Sequence, residues 1–269
     1  MPALSGVSLL SLALNVPGPV AVARLVAEGA TAVKVEPPGG DPLTLYSRAW
    51  YDGLHAGVTV MPIDLKTGDG RAALEPCLSR ADVVIMSQRP AALSRLGLAP
   101  DALRARHPHL RVVTIVGDTS APDRPGHDVT YQADAGLLRA ELPGTFLADL
   151  AGAADAVTAV LLALREPAGT HRVVGLRDAL VPFTAPRRHG LAGPDGRFGG
   201  ADPAYGVYAA ADGVVAVAAL EPHFRDRFYA ALGLPLDAPL HDVMRGRTCA
   251  AWAAFARAHD LPLSVVARA

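Results

Sequence analysis

Three short stretches place groups able to move protons at the start of helical runs: Gly126-His127-Asp128, Ala148-Asp149-Leu150 and Leu220-Glu221-Pro222. An imidazole and carboxylates are the usual general acids and bases of enzymes at neutral pH. Taken singly, each has a plain explanation, because a helix N-terminus favours acidic residues through its dipole and capping needs. Arg89 and Arg95 stand one and a half helical turns apart. Each guanidinium offers a planar fork of donors suited to phosphate, or else solvates a helix face. The remaining histidines carry no metal-ligand spacing: His107 and His109 flank Pro108, His189 lies in a Gly/Pro-rich stretch, and His55, His171, His223, His241 and His259 are scattered. Cys77 and Cys249 are far apart and outside any C-x-x-C, so neither a zinc site nor a disulfide framework is expected.

The elements that must position these groups follow a βα rhythm. Short β-rich runs at Val7 to Leu14, Ala32 to Glu36, Val83 to Met86, Val112 to Val116 and His171 to Val174 alternate with amphipathic stretches. This predicts a doubly wound, mostly parallel α/β sheet. Helices are expected from Pro19 to Glu28 and from Leu147 to Arg165; the second is apolar almost all round and should be buried. From Val181 to Pro203 the chain is rich in Gly and Pro and has no period, which reads as a linker. Beyond it, Tyr205 to Ala209 and Gly213 to Ala219 suggest a hairpin, followed by helices near Phe224 to Leu232 and Thr248 to His259. The expected organisation is a large Rossmann-like α/β domain over 1–180, a linker over 181–203 and a small α+β domain over 204–269.

Composition narrows the function classes. With 269 residues, 51% of them apolar, the chain can bury a substantial core. A net charge of −1 supplies no global field for nucleic acid or an anionic membrane, and neither is expected as a partner. An anionic ligand must be met by local charge. Of 25 basic residues only Lys34 and Lys66 are lysines. The sequence shows no secretory signal pattern and no long uninterrupted apolar run, so a reducing, cytoplasmic location is expected.

The opening GVSLLSLALNVPGPVAVARLVAEGATAVKVEPPGGDP resembles the start of type III CoA-transferases (the CaiB/BaiF family): a strand, a PGP turn, a helix and a second strand ending in K-V-E-P-P-G-G-D. The segments IDLKTGDGRAAL, ADVVIMSQRPAALSRLGLAPDAL, PDRPGHDVTYQADAGLL and LADLAGAADAVTAVLLAL follow in family order. So do YGVYAAADGVVAVAALEPHF and RTCAAWAAF, and the resemblance covers nearly the whole chain. It implies that the large domain binds coenzyme A as part of the substrate, without a tightly bound cofactor, and that Arg89 and Arg95 match the R-P-x-x-x-x-R of phosphate binding. Taken together, His127, Asp149 and Glu221 resemble the α-methylacyl-CoA racemase branch, where the histidine and aspartate are paired acid and base and the glutamate assists. The match of Tyr131 implies a hydroxyl donor beside the site. In the transferases of the family the residue matching Asp149 is a nucleophile, which leaves CoA transfer as the alternative, and a degenerate carrier-binding member as a third reading.

An α-proton of a thioester is a weak acid, so the enolate oxygen needs stabilisation while a base acts. The amide groups at the helix start near Asp149 are one expected source, and Gly39 and Gly40 are expected to let backbone approach a ligand. Three departures from the family pattern stand out. GLHAGVTVMPIDLK replaces a basic segment, and Asp134 replaces a usually apolar position on the helical face of His127. Asp134 is read either as a site group or as an exposed carboxylate. Third, the linker is short and the sequence stops at FARAHDLPLSVVARA, where the family pattern continues; a homodimer is expected, less interlocked than those of relatives.

Overall fold

The computed structural model describes residues 1–138, 142–193 and 195–267. The chain divides into two units, Met1–Phe183 and Thr184–Ala269. In the first, strands β1 (Ser8–Ser11), β2 (Thr31–Glu36), β3 (Val58–Pro62), β4 (Val83–Met86), β5 (Arg111–Val116) and β6 (His171–Gly175) form one sheet in the order β3-β2-β1-β4-β5-β6. Every pairing is parallel. Strand β4 is buried along its whole length and β5 nearly so, the burial that a parallel sheet covered on both faces imposes on central strands. The chain winds outward from β1 through β2 to β3, then restarts at β4 and winds the other way. The crevice beyond the carboxyl ends of β1 and β4 is therefore the topological switch point, where open α/β sheets bind ligands.

The first unit carries helices α1 (Pro17–Ala27), α2 (Leu43–Tyr46), α3 (Arg48–Leu54), α4 (Gly68–Arg80), α5 (Pro90–Leu96), α6 (Pro100–Arg106), α7 (Asp128–Asp134) and α8 (Leu147–Arg165). Helix α1 opens on Pro17-Gly18-Pro19, two residues earlier than the apolar period suggests. Proline needs no amide partner in a first turn. Gly18 is required for packing, since a Cβ there would lie 2.1 Å from the Ala13 Cβ. Helix α8 buries Ala148, Gly152, Ala153, Ala156, Ala159, Val160 and Ala163, a small-residue face that packs against α1, α7, β5 and β6. The expectation of full burial is corrected here: Leu161 is 42% exposed and Leu162 45% exposed. The helix is apolar all round, but neighbours within the chain cover only one of its faces.

The Gly/Pro-rich stretch 181–203 is not irregular throughout, because it begins with helix α9 (Val181–Arg188). Pro182 sits in the first turn of α9, where proline is tolerated. The second unit has a three-stranded antiparallel sheet in which β7 (Tyr205–Ala209) pairs with β8 (Val214–Ala218), and β8 with β9 (Leu263–Val265). Helices α10 (Pro222–Leu232), α11 (His241–Arg245) and α12 (Cys249–His259) complete this unit. Its core gathers Phe228, Tyr229, Met244 and Trp252, and the Trp252 Nε1–H donates to the Met244 carbonyl at 2.8 Å.

Candidate active site

A pocket opens at the switch point. Asn15, Arg89, Arg124, His127, Tyr131 and Asp149 line it, drawn from the loops after β1, β4 and β5 and from the starts of α7 and α8. His127 and Asp149 thus share one cavity. Glu221 lies in the second unit, exposed, at the N-cap of α10.

His127 occupies the N-cap of α7. Its backbone N–H donates to Thr130 Oγ1 at 3.0 Å, and that hydroxyl donates back to the His127 carbonyl at 2.7 Å. These bonds fix the backbone from which the exposed imidazole projects. The next residue, Asp128, is buried and was not singled out by the sequence. Its Oδ1 accepts the Ala148 and Asp149 amides at 2.7 and 3.1 Å, while Gln132 Nε2 donates to Oδ2 at 2.6 Å. Helix α8 begins after Phe146, which has no side-chain acceptor of its own, so Asp128 is its cap from a distance. The signal available in the sequence was the missing cap at Phe146.

This capping changes the chemistry of Asp149. The Leu150 amide is also spent, on the Phe146 carbonyl at 3.0 Å. The Ala148, Asp149 and Leu150 amides are therefore already bonded, which narrows the helix-start donors expected for an enolate oxygen. With the helix end satisfied by Asp128, Asp149 is pushed up to about 7 by burial and then by the negative charge of Asp128. Both protonation states of its carboxyl are populated near neutral pH.

Tyr131 is buried, and its ring and hydroxyl lie against the backbone of Gly117 and Gly126. A Cβ at Gly117 would fall 2.0 Å from the Tyr131 hydroxyl, and one at Gly126 would fall 2.5 Å from the ring. Burial, followed by the charge of Asp149, raises the Tyr131 pKa and keeps it a hydrogen-bond donor. Gly117→Ala is expected to displace this ring and lower stability by about 1–3 kcal/mol. Thermal melts against Gly39→Ala, whose added methyl meets nothing within 4 Å, provide the comparison; equal melting temperatures would contradict the packing.

Arg124 Nη1 donates to Asp134 Oδ2 at 2.8 Å. Asp134 is exposed, as one of its two readings had it, and pairs with an arginine that lines the pocket. Arg89 lines the pocket, whereas Arg95 lines a separate concavity with Arg71 and Arg106. Gly40, with φ +77°, makes a turn that carries Asp41 back toward Lys34. Lys34 is 1% exposed; its ammonium donates to Asp41 Oδ2 and to His55 Nε2 at 2.8 Å, and forms an ion pair with Glu36 Oε1 at 3.0 Å. Tyr51 donates its hydroxyl to Glu36 at 2.8 Å. Burial lowers the His55 pKa, and its Nδ1–H donates to the Tyr51 carbonyl at 2.6 Å, leaving Nε2 as an acceptor. Ligand atoms of Glu36, Asp41 and His55 lie within 4.8 Å of one another, as a metal site requires; here the lysine ammonium occupies that role.

Comparison with known proteins agrees with this architecture. A model of CoA-transferase family III matches residues 4–269. The chain is 29% identical over 265 residues to the human alpha-methylacyl-CoA racemase, aligning 87% of this chain with 66% of that protein. It is 33% identical over 150 residues to the probable fatty acyl-CoA transferase Rv3272 of Mycobacterium tuberculosis, with 50% of this chain and 37% of that one covered. The chain thus spans between about a third and two thirds of the length of these curated relatives. The crystal structure of the Mycobacterium tuberculosis protein Rv3272 superposes with a TM-score of 0.85 at 23% identity, over 100% of this chain and 84% of that one. That likeness shows the fold.

Proposed function

Because this chain belongs to CoA-transferase family III, we propose that it acts on an acyl-CoA thioester and inverts the configuration of an α-branched acyl group by moving its α-proton. The observation that carries this reading is that His127 and Asp149 line one pocket, with Asp149 poised near neutrality by burial and by Asp128. An acid–base catalyst works best when its pKa lies near the working pH. A nucleophilic carboxylate needs only to be ionised.

In one direction, neutral His127 takes the α-proton; the C–H electron pair moves into the enolate, and protonated Asp149 delivers its proton to the opposite face. The products are the inverted thioester, an imidazolium and a carboxylate. That state is the competent one for the opposite isomer, with ionised Asp149 as base and His127 as acid, so no external reagent is consumed. The developing oxyanion needs a donor, and the Tyr131 hydroxyl is the one we assign, since it lines the pocket and the Ala148 and Asp149 amides are occupied. No tightly bound cofactor is required by this scheme, and coenzyme A enters as part of the substrate.

Arg89 is assigned to a CoA phosphate, and Arg95, in its own concavity, to a second one. Arg89→Ala should raise KM with little change in kcat, because a phosphate contact is equal in ground and transition states; an unchanged KM would move the phosphate elsewhere. Glu221 enters by resemblance, as a group that tunes His127. Glu221→Ala should shift the pH–rate profile, and an unaltered profile would remove it from the chemistry. A homodimer is also proposed, and light scattering at micromolar concentration tests it. The direct test of the reaction is incorporation of solvent deuterium at the α-carbon of a 2-methylacyl-CoA. A covalent adduct on Asp149 without exchange would instead support CoA transfer.

A further inference from the structure

We propose that Asn15 is a substrate-contacting residue of this pocket and that the buried Lys34–Asp41 pair serves to hold it there. The inference rests on reading the pocket as the thioester site.

Asn15 has a left-handed backbone, φ +65°, in the loop that leads from β1 into α1 at the switch point. Few residues other than glycine accept that region, and asparagine is the usual exception. A loop that had only to turn from β1 into α1 would be served by glycine at position 15 with less strain. Strained backbone that persists at a cavity wall points to use of the side chain. Asn15 is half-buried and lines the pocket, and among the described residues nothing hydrogen-bonds to its carboxamide. The carboxamide therefore offers a free donor and a free acceptor to an incoming amide or carbonyl, both of which an acyl-pantetheine thioester carries.

The strained backbone is secured from both flanks. On the β2 side, the Asn15 N–H donates to Asp41 Oδ1 and Oδ2 at 3.0 and 3.2 Å, and the Leu43 amide donates to Oδ1 at 2.9 Å. Asp41 is 0% exposed, and the Lys34 ammonium neutralises it. On the β4 side, Leu14 N–H donates to Ser87 Oγ at 3.1 Å and Gln88 Nε2 donates to the Leu12 carbonyl at 2.6 Å. A chain that uses arginine for all but two of its basic residues has lysine at this buried position. A compact ammonium satisfies three converging acceptors, which a planar guanidinium does not. Lys34 and Asp41 touch no substrate in this scheme and act as positioning residues.

The test is a cycle of Asn15→Gly, Asp41→Asn and the double variant, read by calorimetric binding of isobutyryl-CoA and by α-deuterium exchange. Asn15→Gly keeps the left-handed backbone while deleting the carboxamide, so its melting temperature should hold and its Kd for isobutyryl-CoA should rise roughly tenfold, the worth of one good hydrogen bond. Asp41→Asn should lower the melting temperature and raise Kd by a similar factor. The double variant should bind no more weakly than Asn15→Gly, although it melts as early as Asp41→Asn. An unchanged Kd in Asn15→Gly, or losses that multiply in the double variant, overturns the inference. If Asp41→Asn does not fold, the Asn15→Gly constant alone decides. Wild-type binding without exchange would overturn the isomerase reading and not this one, since the binding constants remain measurable.

Discussion

Asp149→Asn is expected to leave a folded protein whose α-proton exchange is slower than wild type by about 10²–10⁴-fold, the usual contribution of a positioned acid or base. Asparagine keeps the shape of the side chain but can neither release nor accept the proton. His127→Ala should lose a similar factor, and the two losses should not multiply, because each removes the same two-group relay. The stability of Asp149→Asn carries an independent signature. The Asp149 carboxyl moves from 3.8 to about 7 on folding, so between those values the folded state holds a proton that the unfolded state has released. Wild-type stability therefore falls as pH rises from about 4 to about 7 and is level above that, while the asparagine variant lacks this decline. Melting temperatures of the two proteins should diverge across that window in favour of the variant. Parallel curves would mean that Asp149 titrates normally and is not poised for proton exchange.

Lys34→Met should be the most destabilising of these substitutions. It removes the one ammonium that faces two buried carboxylates, Glu36 and Asp41, which are 5% and 0% exposed. Breaking a buried ion pair from one side costs about 3–5 kcal/mol, because the remaining charge is left without compensation. For a unit of this size that corresponds to a fall in melting temperature on the order of 10 °C. Lys34→Arg should recover little of it, since a guanidinium is larger and its planar fork does not converge on three acceptors. A melting temperature unmoved by Lys34→Met would show that the cluster is hydrated and contributes no positioning.

Much of this architecture was legible from sequence because it is written in local patterns. The strands Val83–Met86 and Arg111–Val116 are apolar runs between turn residues, and their burial in the middle of a parallel sheet follows. Strand β3 carries little of that signal, since as an edge strand it has no fully buried residue. Strand β9 is too short to show a period. His127 and Asp149 were legible as a pair through the family resemblance. Asp128 was not, because its bonds to the α8 amides join residues twenty apart. The alternation in Lys34-Val35-Glu36 does place lysine and glutamate on one strand face. Their other partners, Asp41, Tyr51 and His55, arrive from a turn and from α3, which only the tertiary fold brings together.

The central claim is that this pocket moves an α-proton rather than an acyl group, and solvent deuterium measures that directly. Purified wild-type protein incubated in D2O with one stereoisomer of a 2-methylacyl-CoA is predicted to return both stereoisomers, each carrying deuterium at the α-carbon, with formation of the inverted isomer slowed by about 10²–10⁴-fold in Asp149→Asn and His127→Ala. Unlabelled thioester of unchanged configuration, together with an acyl or CoA adduct on Asp149 that hydroxylamine releases, would contradict the account and assign the protein to CoA transfer.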